Sequence, residues 1–294
     1  MPVKGVNAMM WLWYFMIYSM IGWGVEVAYH AVSQGRIVNR GFLNGPVCPV
    51  YGFGMLAVLR VFGALEADIP SHGAFVLFFG GILMTTSIEL LAGWSLDQLF
   101  HARWWDYSKE PFNFRGYICL KFSIIWGLGT VFMYRIVHIT IAMFVQGILP
   151  LVTAKVFLLL MYMTFVTDLC VTVMTVRGMN KSLDQIEDLR RRMRIVSDRL
   201  SQEIGENTIA TAQIIENQRV QAALGRAEFR DHIEELKQKQ QALRVQYEQY
   251  RARLYQHPML GAGRIVRAFP GAVHRKHDEL LREFREKLDG KWID

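Results

Sequence analysis

Cysteine is scarce in this chain, and several catalytic motifs are absent from it. The three cysteines are Cys48, Cys119 and Cys170, and their spacing excludes a disulfide framework and a CxxC metal site. No Gly-x-x-x-x-Gly-Lys-Ser/Thr sequence occurs, so the chain has no phosphate-binding loop and cannot itself be the ATPase of a pump. The absence of an HExxH sequence also excludes a zinc-protease helix of that type.

Charge is also scarce in residues 1–176, which contain 10 lysines and arginines and 8 acidic residues, whereas residues 177–294 contain 23 and 18. This shift in composition predicts three parts: a transmembrane domain at 1–178, a coiled-coil helix at 179–257 and a charged helical segment at 258–294. The net positive charge favours contact with anionic lipid headgroups. Nucleic-acid binding is not expected, because acidic residues alternate with the basic ones and no aromatic residues are interleaved.

Five long apolar blocks occupy the first part of the chain: Met9–Val32, Pro46–Ala64, Gly73–Phe100, Tyr117–Phe144 and Ile148–Val176. Each block approaches or exceeds the roughly 20 residues that an α-helix needs to cross a hydrocarbon core of about 30 Å. No small-residue cleavage site follows the first block, so we interpret it as a retained span and not as a signal peptide. The predicted fold class is therefore all-α: a polytopic transmembrane helical bundle of about five spans, followed by a C-terminal cytoplasmic coiled coil.

Basic residues in the short loops predict the orientation of the bundle. The loops after the first, third and fifth blocks are predicted to be cytoplasmic, and their basic residues include Arg36, Arg40, Arg103, Lys109, Arg115, Arg177 and Lys181. The loops after the second and fourth blocks are predicted to lie outside, and they contain Arg60, Glu66, Asp68, Arg135 and His138. The chain is thus expected to be a multi-pass membrane protein with its N-terminus outside and its C-terminus in the cytoplasm.

Two polar-aromatic motifs lie between the apolar blocks, NRGFLNGPVCPVYGFG at 39–54 and WWDYSKEPFNFRGYICLKFSIIWG at 104–127. Both fall on the predicted cytoplasmic side, so they can pack together. Pro46, Pro49 and the neighbouring glycines prevent a regular helix at the start of the second block. This segment is either the broken start of a transporter helix that lines a site, or a tight loop with a proline near the first helical turn.

The motifs and two intramembrane acids supply the candidate ligand-binding residues: Glu26, Asn39, Arg40, Cys48, Tyr51, Glu89, Trp105, Asp106, Asn113 and Arg115. An ionisable group inside a span costs about 2.5–3.5 kcal/mol on insertion scales, so it usually faces a partner or a cavity. The two glutamates could instead form structural ion pairs with arginines, and the tryptophans could form an aromatic belt. Cys48 and Cys119 could meet as a redox pair or soft-metal site, or act as small packing residues. No catalytic residue, metal ligand or cofactor is predicted.

The charged tail has a heptad pattern that is typical of a coiled coil. Residues recur every seven positions at Phe229, Leu236, Leu243 and Tyr250, with Ile233, Gln240, Tyr247 and Leu254 between them. The stripe favours a homo-oligomer, and the alternatives are an antiparallel hairpin within one chain and a long solvated helix. Further along the chain, Ile265, Val266 and Phe269 could rest on the membrane surface.

The membrane part resembles the Putative ABC-transporter type IV family of bacterial membrane proteins, also described as ABC-transporter permeases. The resemblance covers about residues 10–140 and rests on Gly22-Trp23, Glu26, Asn39-Arg40-Gly41-Phe42-Leu43, Gly45-Pro46, Cys48-Pro49, Tyr51-Gly52-Phe53-Gly54, Glu89, Trp104-Trp105-Asp106-Tyr107, Asn113, Gly116, Cys119-Leu120 and Trp126-Gly127. It implies an integral protein of the bacterial cytoplasmic membrane, with a separate ATPase as a candidate partner. It supplies no substrate and no catalytic residues.

The expected function is therefore a permease or another transport component for an unidentified solute, with a polar site on the cytoplasmic side. The chain is not expected to be an enzyme. One alternative is a membrane sensor or scaffold that signals through the coiled coil. The other is an enzyme that acts on membrane lipids, with Asp106 or Glu89 as its acid–base group. Membrane lipids are expected partners in every case.

Overall fold

A computed structural model describes residues 8–35, 37–65, 73–148, 150–213, 219–255 and 261–290. Within these ranges the chain is mainly α-helical, which confirms the predicted all-α class. The helices are α1 (Ala8–Gln34), α2 (Pro49–Leu65), α3 (Ala74–Phe100), α4 (Leu120–Phe132), α5 (His138–Ile148), α6 (Val152–Gln213), α7 (Arg219–Tyr255), α8 (Ala262–Ala268) and α9 (Asp278–Gly290). Short strands β1 (Ala102–Arg103) and β4 (Val273–His274) form one antiparallel pair, and β2 (Asn113–Phe114) and β3 (Ile118–Cys119) form another.

Four helical runs in the described residues are long and apolar enough to cross a membrane: Ala8–Ser33, Ala74–Phe100, Leu120–Ile148 and Val152–Gly205. The apolar part of α2, Pro49–Gly63, is shorter than the roughly 20 residues of a regular span. The number of five spans and their orientation therefore stay predictions. Of the loop residues used for that orientation, Arg36, Glu66 and Asp68 lie outside the described residues.

The fourth predicted span differs in its boundaries from the structure. Its first residues form β3 because the chain turns back on itself after Gly116, which has a φ of +74°. The helical run then starts at Leu120 and continues to Ile148 through a π-helical turn at Met133–Val137. Arg135 and His138, predicted to lie in an outer loop, are thus inside a helical run. Short π-helical turns of this kind often lie at functional sites.

Helix α1 is the most enclosed of the candidate spans. In its most apolar stretch 44% of the residues are buried, against 11–17% in the other three. Its buried side chains pack mainly against α2 and α5, and the core they form includes Trp13, Met16, Tyr18, Val58, Leu59, Phe62 and Val145. Ser19, a polar residue of α1, is fully buried in this part of the bundle.

The chain divides into two compact units, one formed by Met1–Arg177 with Met259–Asp294 and the other by Gly178–Pro258. In the first unit the C-terminal segment returns to the membrane part, because Ala102 and Arg103 of β1 pair with His274 and Val273 of β4. Ile265 and Val266 are only 1% and 3% exposed. The expectation that this segment rests on the membrane surface is therefore wrong, because the protein itself covers these side chains.

The second unit is an antiparallel hairpin of two helices, the later part of α6 and α7. Arg190 Nη2 donates a hydrogen bond to the Tyr247 hydroxyl over 3.3 Å, and Glu203 lies 3.1 Å from His232. On α7 the buried or half-buried positions coincide with the heptad stripe: Phe229, Ile233, Leu236, Gln240, Leu243, Tyr247, Tyr250 and Leu254. The structure therefore favours the hairpin among the alternatives for this stripe, and the coiled coil and the homo-oligomer stay predictions.

Candidate functional site

Two glutamates and three aromatic residues form one polar cluster among the apolar helices, here called the glutamate–aromatic cluster: Glu26, Tyr51, Glu89, Tyr107 and Trp126. The Tyr51 hydroxyl donates a hydrogen bond to Glu26 Oε1 over 2.5 Å. Glu89 accepts two hydrogen bonds, from the Trp126 indole at 3.1 Å and from the Tyr107 hydroxyl at 3.2 Å. The rings of Tyr51 and Trp126 meet edge to face with centroids 5.3 Å apart, which joins the two halves of the cluster.

A close approach of α1 and α2 positions Tyr51. A Cβ atom on Gly22 would collide with the Tyr51 ring, and a Cβ atom on Gly52 would lie 2.8 Å from the Phe15 carbonyl oxygen. The two helices can pack at this distance because glycine has no side chain at either position. Tyr51 consequently lies against α1 one turn before Glu26, within reach of its carboxylate.

The two carboxylates of the cluster have different partners. Arg40 Nε lies 3.7 Å from Glu26 Oε2, so Glu26 has a cation beside it. Glu89 is buried and has no lysine or arginine partner in the part of the chain that the structure describes; its two oxygens accept hydrogen bonds from neutral donors. Burial, followed by the charge of Glu89, raises the pKa of the Tyr107 phenol above its ordinary value, so the phenol remains a donor. A buried acid that lacks an opposite charge beside it is a candidate binding group.

Asn39 and Arg40 shape the loop between α1 and α2. Asn39 Oδ1 accepts hydrogen bonds from the Trp23 indole at 2.7 Å and from the backbone N–H of Gly41 at 3.0 Å. The Asn39 amide donates to the carbonyl oxygen of Asn44 over 2.7 Å. Both ends of the Asn39 side chain are therefore used inside the loop, which accounts for the residue without a ligand, and its binding role stays a prediction.

Asp168 of α6 holds the other end of this loop, and it was not among the predicted site residues. Its Oδ1 accepts hydrogen bonds from the backbone N–H of Asn44 at 3.0 Å and from the Asn44 side-chain amide at 2.7 Å. Its Oδ2 accepts from the N–H of Gly45 at 2.7 Å. An acid in an apolar helix is the signal that pointed to it, and irregular backbone at membrane depth needs such a partner.

The C-terminal segment holds the same loop from a third direction. Arg264, which is buried, donates from Nη1 to the Gly41 carbonyl oxygen at 3.0 Å and from Nη2 to the Phe42 carbonyl oxygen at 2.8 Å. Burial lowers the pKa of the Arg264 guanidinium. Arg40 in turn donates to the carbonyl oxygen of Ala268 over 2.9 Å. No pattern in the sequence signals these contacts, because the paired residues are more than 220 positions apart.

A second polar group surrounds Asp97, in the last turn of α3. Its Oδ2 accepts hydrogen bonds from the Tyr117 hydroxyl at 2.5 Å and from Arg275 Nη2 at 2.6 Å, and Arg103 Nε lies 3.6 Å away. The hydrogen bond to Asp97 raises the pKa of the Arg275 guanidinium. Asp97 was not among the residues predicted from the sequence, although an acid at the end of an apolar helix is a usable signal.

The remaining predicted residues of the second motif build the loop between α3 and α4. The Trp105 indole donates to the Tyr117 carbonyl oxygen over 2.9 Å. Asp106 accepts from the backbone N–H and the hydroxyl of Ser108. Asn113 Oδ1 accepts from the Gly116 N–H over 3.1 Å, and its amide donates to the Glu110 carbonyl oxygen over 2.8 Å. These side chains act within the loop, whereas Arg115 has its guanidinium over the Phe114 ring.

The structure thus separates the ten predicted residues into groups. It brings together Glu26, Arg40, Tyr51 and Glu89, and it places Trp105, Asp106, Asn113 and Arg115 in the second loop, with Tyr107 reaching from that loop to Glu89. The two motifs meet at Phe42 and Trp104, whose ring centroids are 5.3 Å apart. Cys48 lies directly before α2, its backbone N–H donating to the Ser19 carbonyl oxygen, and it forms no disulfide bond with Cys119.

The apolar helices and the polar cluster between them define the class of the protein, an α-helical integral membrane protein. Residues 13–173 match the model of the family described as Putative ABC-transporter type IV. The match covers more than half of the chain, so the chain belongs to this family, and the resemblance seen in its motifs is confirmed. No solved structure matches the chain.

Proposed function

We propose that this chain is the membrane-embedded permease component of a transport system and that the glutamate–aromatic cluster is its solute site. Membership of the family supports a transport component with a separate ATPase as its partner. The observation that carries the choice of site is Glu89, a buried acid on an apolar helix whose described partners are the neutral donors Tyr107 and Trp126. A cation or a donor-rich polar solute can replace either donor and gain a charge-assisted hydrogen bond.

The two acids have separate roles in this proposal. Glu26 already has Arg40 beside it, 3.7 Å away, so Glu89 is the acid of the site that is left to bind the solute. Tyr107 comes from the loop between α3 and α4, and Tyr51 comes from α2, so a movement of either element removes a donor from a glutamate. Solute access is therefore coupled to movement of these two elements, which supports a site that opens and closes during transport.

The proposed arrangement in the membrane has five spans, with α2 crossing as a shorter helix, the N-terminus outside and the C-terminus in the cytoplasm of a bacterial cell. Loop charge supports this orientation. The solute site then lies on the cytoplasmic side. The chain is not itself an enzyme in this proposal, because the energy comes from ATP hydrolysis by the partner subunit. Anionic lipids and a second copy of the chain, through a coiled coil, are further proposed partners.

The test is purification of the tagged protein in mild detergent, with mass spectrometry of bound proteins and small molecules. We expect an ATPase subunit and a solute to co-purify, and the complex in vesicles to move that solute when ATP is added. Glu89→Gln removes the charge with little change of shape and should lower solute affinity about tenfold, since a hydrogen bond to a charged group contributes about 1.5–3 kcal/mol. Glu110→Gln, in the exposed loop next to Lys121, is the matched control.

Two results would overturn the proposal. One is wild-type transport by the Glu89→Gln protein together with unchanged solute affinity. The other is a protein that purifies with no ATPase under conditions that retain its lipids and whose vesicles move no solute.

A membrane sensor or scaffold is the second candidate, and the hairpin of the second unit favours it. Helix α6 is continuous over Val152–Gln213, so one helix contains a candidate span and one arm of the hairpin. Replacing residues 197–240 with a short glycine–serine linker shortens both arms and retains Arg190 and Tyr247, which pair across the hairpin. The shortened protein should transport normally if the chain is a permease and should lose its signal if the chain is a sensor.

A further inference from the structure

An open cleft at the end of α3 is lined by three arginines. The cleft has a volume of about 470 Å³, and Arg103, Arg115 and Arg275 contribute to its lining together with Trp94 and Gln98 of α3. Among the residues that the structure describes, the lining contains no aspartate or glutamate. All of these residues belong to the first compact unit. The cleft is separate from the glutamate–aromatic cluster, whose residues do not line it.

The positive charge of this arginine cleft is only partly neutralised from behind. Arg275 lies 2.6 Å and Arg103 3.6 Å from the same oxygen of Asp97, so one buried carboxylate serves two guanidinium groups. Asp106 is 3.9 Å from Arg103 and adds a weaker contribution. Arg115 has no carboxylate partner among the described residues. Three positive charges therefore face two negative ones, and Arg115, which has no carboxylate beside it in the described residues, lines the cleft.

The cleft also lies beside surfaces that suit a membrane interface. Trp94 and Gln98 are in the last two turns of the candidate span Ala74–Phe100, and Trp94 is 52% exposed. In the loop that contains Arg115, Phe112 is 83% exposed and Phe114 is 54% exposed. Tryptophan at the end of a span commonly lies at the level of the lipid headgroups. The exposed rings can contact the apolar chain of a lipid, and the guanidinium of Arg115 beside them can bind its anionic headgroup.

We propose that the arginine cleft binds the phosphate of an anionic phospholipid. A guanidinium group binds phosphate oxygens through two parallel hydrogen bonds, and three such groups around one opening prefer a headgroup with net negative charge to a zwitterionic one. Free phosphate has the same chemistry. The exposed rings of Trp94, Phe112 and Phe114 favour the lipid, because they offer apolar contact that free phosphate cannot use.

The experiment measures lipid binding to the delipidated full-length protein in neutral detergent by native mass spectrometry. Phosphatidylglycerol should bind about tenfold more tightly than phosphatidylcholine. Arg115→Gln should weaken the binding of phosphatidylglycerol about tenfold. Arg115→Lys should recover part of it, because the charge returns without the bidentate geometry. Lys109→Gln is the matched control: it removes the same charge from the same loop outside the cleft, and affinity should stay within about twofold.

A second variant tests the cleft without altering the arginines. Gln98→Glu places a carboxylate in the lining, and Gln98 makes no side-chain hydrogen bond among the described residues, so the loop should keep its structure. We expect this variant also to weaken phosphatidylglycerol binding about tenfold, by pairing with the arginines.

Three outcomes would overturn the proposal. Equal affinity for phosphatidylglycerol and phosphatidylcholine would show that the cleft has no preference for an anionic headgroup. Equal losses of phosphatidylglycerol affinity in the Arg115→Gln and Lys109→Gln variants would show that the lipid is attracted to the whole basic loop and not to the cleft. Displacement of phosphatidylglycerol by an equal concentration of glycerol 1-phosphate would identify a site for a soluble phosphate ester and not for a lipid.

Discussion

At the scale of single residues, the segment 39–45 shows how an irregular loop is stabilised beside a membrane. Its backbone cannot form helical hydrogen bonds, and lipid offers none in exchange. Three side chains replace them: Asn39 from within the loop, Asp168 from α6 and Arg264 from α8. A carboxylate accepts from backbone N–H groups and a guanidinium donates to backbone carbonyls, so both kinds of backbone group are satisfied.

Asp168→Ala should loosen this loop. The substitution removes the acceptor of the Asn44 and Gly45 N–H groups and should lower the free energy of unfolding by about 2 kcal/mol, because bonds to a charged group contribute about 1.5–3 kcal/mol. The measurement is maleimide labelling of Cys48, three residues beyond Gly45, in a Cys170→Ser background; labelling should become several times faster. Thr164→Ala is the control on the same helix, since Thr164 only bonds to the Met161 carbonyl oxygen. Equal labelling rates in the two variants would contradict this role of Asp168.

At this scale the sequence pointed to residues whose chemistry is unusual for their position, and their binding role stays a prediction. Glu26 and Glu89 are acids in apolar helices, and the structure brings them into one cluster with Tyr51. The sequence did not point to Asp97 or Arg264. One partner of Asp97 is Arg275, 178 positions away, and this pair becomes visible only when the fold brings distant segments together.

At the scale of elements, the helices could be predicted because lipid permits few alternatives: a long apolar block must satisfy its backbone internally. The boundaries were less predictable where polar side chains offer the backbone other partners. The segment before α4 forms a strand pair, in which Asn113 opposes Cys119, and α2 begins only at Pro49. The contact between α1 and α2 depends on glycines, whose effect on packing is not visible in a hydropathy profile.

Gly52→Ala should separate α1 from α2. The added methyl group would lie 2.8 Å from the Phe15 carbonyl oxygen, and overpacking of this kind costs about 1–3 kcal/mol. The thermal unfolding midpoint in detergent should fall, and binding at the Tyr51–Glu26 pair should weaken with it. Gly54→Ala is the matched control on the same helix, because outside its own turn of helix no described atom lies within 4 Å of the added carbon.

The control variant should be neutral or slightly more stable, since alanine is favoured over glycine in a helix by about 1 kcal/mol. If both alanine variants shift the midpoint in the same direction and by the same amount, close packing at Gly52 does not hold the two helices together.

At the scale of the whole molecule, the chain leaves the first compact unit after Arg177, forms the hairpin and returns to the first unit from Met259 onward. The change in composition near residue 177 predicts a boundary there, and the predicted division of the chain into three parts stays a prediction. The return could not be predicted, because the C-terminal segment has a charged, ordinary helical sequence, and its pairing with β1 depends on Asp97 and on loops far away in the sequence.

Two deletions distinguish the contributions of the hairpin and the C-terminal segment. Ending the chain after residue 258 removes Arg264 and Arg275 and leaves the Gly41 and Phe42 carbonyl groups and the Asp97 carboxylate without these donors. A buried group that loses its partner costs about 1–3 kcal/mol, so this truncation should lower the unfolding midpoint of the membrane part strongly. Shortening the hairpin by residues 197–240 removes none of these contacts and should leave the midpoint nearly unchanged. If the hairpin deletion destabilises the membrane part more than the truncation does, the C-terminal segment is not what holds the loops of this unit in place.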